Sequence, residues 1–130
     1  MKNYEKYIGM LMIAFAITFS SCKDDAYVVP TVVISGSVSF DTIVQPILNS
    51  NCAISGCHVA GAQAPDLSAS NAFNNLWQYA LVDTTSPTTC ILYEHLTGTG
   101  GQSLMPPVGA LSPTQKGEIL AWIKHGAQNN

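Results

Sequence analysis

Residues Cys52-Ala53-Ile54-Ser55-Gly56-Cys57-His58 hold the densest chemistry in the chain: two thiols followed at once by an imidazole, in the pattern C-x4-C-H. Thiols in such a pattern add across the vinyl groups of a haem as thioethers, and the imidazole next in sequence lies under the iron. The usual spacing is C-x-x-C-H. The porphyrin fixes the separation of its vinyl groups, so two extra residues have to bulge out between fixed anchors. Gly56, directly before the second cysteine, is free to take the positive φ that such a bulge calls for. Two other chemistries use the same residue types. In an exported protein a Cys52–Cys57 disulfide would close a small loop, and two cysteines and a histidine with a distant fourth ligand would hold zinc.

The chain has 130 residues, room for one domain. Its first segment stands apart from that domain. Lys2 and Lys6 precede an uncharged run of twelve residues, Ile8 to Phe19. That is too short to span a bilayer as a helix and suits the apolar region of a signal peptide. Ser20-Ser21 before Cys22 resembles a bacterial lipoprotein processing site, with Phe19 where leucine is usual. We expect residues 1–21 to be a lipoprotein signal peptide, Cys22 to carry the lipid, 22–38 to be a lipid-anchored tether and 39–130 to be the domain. If residues 1–21 stay as an uncleaved anchor, the domain is still exported and held at a bacterial membrane, facing the periplasm or the cell surface. Within the tether, the β-branched stretch from Val28 to Ile34 is compatible with a short strand.

From residue 22 onward three lysines meet seven carboxylates, a net charge of −4 with histidines neutral, and arginine is absent throughout. This argues against a nucleic-acid partner, which needs a basic face. It favours protein partners that present a basic patch. Removal of residues 1–21 also takes Met1, Met10 and Met12, which leaves Met105 as the single methionine. Lipid at Cys22 and haem at Cys52 and Cys57 would leave Cys90 alone. It is expected to be a small buried apolar residue, with a dimer-forming disulfide or a regulatory thiol as the alternatives.

The elements that must position these residues are short helices. Ile43, Val44, Ile47 and Leu48 share a face from Ser39 onward, with Pro46 set to kink the helix or divide it into short pieces. Ser70 is placed to cap a helix to Tyr79 whose apolar face is Phe73, Leu76, Trp77 and Ala80. Thr89 to Leu96 forms another short segment. The last helix is the clearest: Ser112, Pro113 and Gln115 make a capping box, the helix runs from Thr114 to His125, and Gly126 stops it. Trp77 is expected either in simple core packing or hydrogen-bonded to a haem propionate.

A haem needs a ligand on its other face. Met105 stands between glycines and the Pro106-Pro107 pair, 47 residues after His58. Prolines restrict its loop and suit a thioether held against iron. His95 is the competing ligand, expected instead at the surface of a helix, and His125 is a helix-end histidine.

Taken together, Val44-Gln45-Pro46-Ile47-Leu48, Cys52 to Cys57-His58, Asp66-Leu67, Leu92-Tyr93, Met105-Pro106-Pro107, and Leu111-Ser112 leading into Trp122-Ile123-Lys124-His125-Gly126-Ala127 resemble a small monohaem class I c-type cytochrome domain of the kind carried on bacterial lipoproteins. The resemblance covers residues 39–128. It implies an all-α, cytochrome c-like fold of three to five short helices around one covalent haem c. Cys52 and Cys57 would carry the thioethers, with His58 and Met105 axial to the iron. The expected function is one-electron transfer with redox protein partners that dock at an exposed haem edge near Ala53, Ile54, Val59 and Ala60. The chain is not expected to be an enzyme, because it has one haem motif and no second catalytic constellation. Two alternatives stay open: a sensor of CO, NO or O2 if Met105 is labile, and a haem-free exported module with a Cys52–Cys57 disulfide or zinc site.

Overall fold

Pro46 decides how the chain enters its first helix. A proline lacks an N–H and is tolerated in the first helical turn but not in the interior. The computed structural model describes residues 34–130 and divides the apolar stretch accordingly. A π-helical turn covers Phe40–Val44, and α1 covers Gln45–Asn51 with Pro46 in its first turn. The Val44 N–H reaches back five residues to the Ser39 carbonyl at 3.3 Å. Three helices follow: α2 at Ala72–Gln78, α3 at Ile91–Thr97 and α4 at Pro113–Lys124. No strand occurs among the described residues, so the domain is all-α. None of these helices is long and apolar enough to cross a membrane. The signal segment, Cys22 and the tether through Val33 lie outside the described residues.

α4 forms as its sequence dictates. The Ser112 hydroxyl accepts from the Gln115 N–H at 3.2 Å, the Gln115 side chain accepts from the Ser112 N–H at 2.9 Å, and Pro113 occupies the first helical position. The helix ends at Lys124, one residue earlier than expected, with His125 as its cap and Gly126 turning away at φ +95.

α2 departs from expectation at both ends. Its cap is Asn71 rather than Ser70, and no side chain caps it. Ser70 lies inside a turn in which the Asn71 and Ala72 N–H groups both donate to the Ser68 carbonyl, so the helix starts later than its polar residues suggest. The helix then stops at Gln78 and the chain reverses at Ala80, whose φ is +51. The buried face is therefore Ala72 and Leu76 with Phe73 partly covered, while Trp77 and Ala80 face outward.

The core lies where these short elements converge. Phe40 is the pivot: its ring meets Phe73 edge-on at 5.3 Å and lies 5.2 Å from Trp122, tying the π-helical turn to α2 and α4. The Trp122 indole N–H donates to the Gln128 carbonyl at 2.8 Å, so its burial leaves no orphan donor. α3 packs on α4. Val38 is also buried, so the core takes in the last residue of the expected tether. Cys90 is a buried free thiol, as expected, with its sulfur 3.3 Å from the Pro87 carbonyl.

Candidate functional site

α1 delivers Cys52 to the edge of the core. The Cys52 and Ala53 N–H groups both donate to the Leu48 carbonyl at 2.8 Å, and Cys52 is buried where the helix ends. The chain then folds back on itself. The Cys57 N–H donates to the Ile54 carbonyl at 2.9 Å, and the His58 N–H donates to the Cys52 carbonyl at 3.1 Å. That second bond closes the neck of the loop, and Ile54, Ser55 and Gly56 protrude from it as an exposed bulge. Gly56 has φ +81 with open space around it, so backbone conformation and not crowding calls for glycine there. Cys52 and Cys57 are free thiols. Burial, and then the neighbouring Cys57, push the Cys52 thiol up to about 11.

The imidazole is set by the loop that follows. His58 Nδ1 lies 3.1 Å from the Pro65 carbonyl. A carbonyl can only accept, so Nδ1 is the protonated nitrogen and Nε2 keeps its lone pair, the form in which an imidazole ligates a metal. The loop is fixed through three successive carbonyls. Pro65 accepts from the His58 ring, Asp66 accepts from the Asn75 amide of α2 at 2.7 Å, and Leu67 accepts from the Gln45 amide of α1 at 3.2 Å. The Leu67 N–H returns to the His58 carbonyl at 2.9 Å. The Asp66 carboxylate is held below the usual carboxylate range by the Ser68 hydroxyl and backbone N–H, with a further hydrogen bond from Asn71. Gln45 itself is buried, and its Oε1 is the one buried side-chain polar atom left without a partner among the described residues.

Met105 is supplied by the loop between α3 and α4. Its N–H donates to the His95 carbonyl at 2.8 Å, and the His95 ring Nδ1 lies 2.8 Å from the Ser103 carbonyl. Two cavities open beside it, of about 160 and about 150 Å³, and both are lined by Cys52, His58, Gln63 and Met105. The first runs inward past Leu67, Leu81, Leu92 and Leu96, with His95 in its wall. The second runs outward past Ile54, Cys57, Pro106, Pro107 and Val108. Four of the sequence-predicted residues, Cys52, Cys57, His58 and Met105, thus gather around one pair of largely apolar cavities.

These residues fit a covalent haem. Two thiols are free to form thioethers, an imidazole carries its lone pair on Nε2, a thioether shares the same cavities, and the walls are apolar enough for a macrocycle. Trp77 is not part of this arrangement: it lines neither cavity, is 42% exposed, and rests its ring 6.5 Å from that of Phe73. His95, expected at the surface, is half-buried and faces the inner cavity. Gln63, an ordinary loop residue in sequence, lines both cavities, and its backbone N–H donates to the Cys57 carbonyl at 3.0 Å. Only its position five residues after the C-H pair hinted at this. Comparisons with protein-family models, with curated proteins and with solved structures gave no match to this chain.

Proposed function

We propose that this domain is a small cytochrome c-like electron carrier holding one haem c, attached through Cys52 and Cys57 and ligated by His58 and Met105. The observation that carries the reading is the meeting of Cys52, His58 and Met105 in the walls of the same two cavities, although Met105 lies 47 residues beyond His58. When bound, the haem supplies reversible one-electron chemistry between Fe(II) and Fe(III). The chain supplies what surrounds it. His58 presents Nε2 because Pro65 holds the proton on Nδ1. Met105 offers a neutral thioether, a ligand that raises the potential relative to a second histidine. Leu67, Leu81, Leu92 and Leu96 keep water from the inner cavity. In a chain without arginine, Gln63, which lines both cavities, is the polar side chain best placed to meet a propionate group.

Ile54 is 38% exposed and Val108 is 87% exposed at the outer cavity, and they form an apolar rim at which a redox protein with a basic patch would dock. The resemblance of residues 1–21 to a signal peptide and of Ser20-Ser21-Cys22 to a lipoprotein processing site supports a carrier held outside the cytoplasm by a lipid at a bacterial membrane. The sensor alternative draws support from a single feature, the few hydrogen bonds that hold the Met105 loop.

The test is a pyridine haemochrome spectrum of the protein made in a host that co-expresses c-haem maturation proteins. A two-thioether α band that survives acid-acetone extraction is expected. Haem that extracts freely, or no haem, would sink the reading and leave the disulfide and zinc alternatives.

A further inference from the structure

Among the described residues, the two hydrogen bonds that tie the segment Ser103–Val108 to the rest of the domain both come from one residue, His95. Its backbone carbonyl accepts from the Met105 N–H at 2.8 Å, and its ring Nδ1 lies 2.8 Å from the Ser103 carbonyl. The other hydrogen bond of this segment, from the Gly109 N–H to the Pro106 carbonyl at 3.4 Å, is internal to the loop. Upstream the chain passes through Gly98, Gly100 and Gly101, all at positive φ, a backbone conformation that favours glycine. The ring of His95 lines the same inner cavity as Met105 and His58.

We infer that His95 is a positioning residue: its two-point grip on Ser103 and Met105 holds the thioether in place and keeps the sixth coordination position closed to outside ligands. The inference rests on the haem reading above. Because the Ser103 carbonyl can only accept, the His95 ring donates from Nδ1. The donor must therefore stand two bonds beyond Cβ. The Asn side chain places its amide nitrogen at that point, and the Gln side chain places it one bond farther out. His95→Asn and His95→Gln thus differ in reach while both stay polar and uncharged.

The experiment compares wild type, His95→Asn and His95→Gln as holoproteins of the full chain. It reads the Met–iron charge-transfer band, the binding of CO to the reduced protein, and the hydrogen exchange of the Met105 amide. Wild type and His95→Asn are expected to keep the band, to resist CO and to protect the amide. His95→Gln is expected to lose most of the band, to bind CO, and to exchange the Met105 amide about fivefold faster, the factor that one ordinary hydrogen bond supplies. The inference is overturned if His95→Gln matches wild type in all three readouts, or if His95→Asn is impaired as much as His95→Gln. Amide exchange can also be read on protein lacking haem. Absence of covalent haem from wild type would therefore sink the function proposed above while the grip of His95 on the loop was still decided.

Discussion

The two loops that present His58 and Met105 are held in opposite ways. The His58 loop is pinned from several directions: Gln45 of α1 and Asn75 of α2 donate to successive carbonyls, and His58 bonds the loop through both its ring and its backbone. Among the described residues, the Met105 loop is hydrogen-bonded to the rest of the domain through His95 alone, beside the packing of its buried Pro106, and it follows three glycines at positive φ. A single intramolecular hydrogen bond contributes only about 1 kcal/mol net. The loss of any one tie therefore removes a small part of the hydrogen bonding that holds the first loop but half of that holding the second. The difference suits the roles proposed for the two residues. An imidazole ligand needs one fixed tautomer, and a thioether, a weak donor, would stay on iron only as long as its loop kept it there.

The largest effects should come from removing the proposed ligands themselves, and they should be unequal. Met105→Ala is expected to keep covalent haem but to become high-spin, lose the charge-transfer band and show a lower midpoint potential, with its helix content unchanged. His58→Ala is expected to give almost no low-spin haem in either oxidation state and a sharply lower yield of holoprotein. Absorbance, redox titration and circular dichroism on the two variants check this. If Met105→Ala retained a low-spin spectrum with the same potential, another residue would be the ligand, and the contrast between the loops would lose its meaning.

A smaller effect should come from cutting one of the several ties on the His58 side. Gln45→Leu keeps the shape of a buried side chain but leaves the Leu67 carbonyl without its donor, at an expected cost of about 1–3 kcal/mol. The unpartnered Gln45 Oε1 disappears in the same change, which places the result toward the low end. Denaturant unfolding should record the loss while the haem spectrum stays that of wild type. A shift in the spectrum would mean that the His58 loop is as lightly supported as the other.

Much of this arrangement was legible in the sequence, and the reasons divide along the same line. α4 was readable because Ser112, Pro113, Gln115 and Gly126 act on their own backbone neighbours, so the signals and their effects are both local. The glycine in the C-x4-C bulge was readable for the same reason. α2 was not, because Ser70 is a good capping residue that a tighter turn around Ser68 overrides, and because the chain reverses before Trp77 and Ala80 can turn inward. The place of Met105 could be anticipated from its isolation between glycines and prolines, but not the role of His95. Periodicity assigns a histidine in a short helix to a face, and it does not reveal that a loop eight to ten residues later closes over that face.

The smallest predicted effect sets the two loops against each other most directly. Gly56 and Gly100 both sit at positive φ, +81 and +59, so an alanine at either costs roughly 1 kcal/mol in backbone conformation. Each should lower the melting temperature by about 4–8 °C in a domain of this size. Their surroundings differ. A Cβ at Gly56 meets nothing, whereas one at Gly100 meets the Glu94 carboxylate, the free end of a flexible side chain that can swing aside. Gly56→Ala distorts a bulge whose neck is closed by the His58–Cys52 hydrogen bond, so the strain should stay local and the Met–iron band should be unchanged. Gly100→Ala strains the approach to a loop with fewer ties, so the same thermal loss should come with a weaker band and faster exchange of the Met105 amide. If the two variants moved the band equally, the more lightly tied loop would not be the more easily disturbed of the two, and stability alone would account for both.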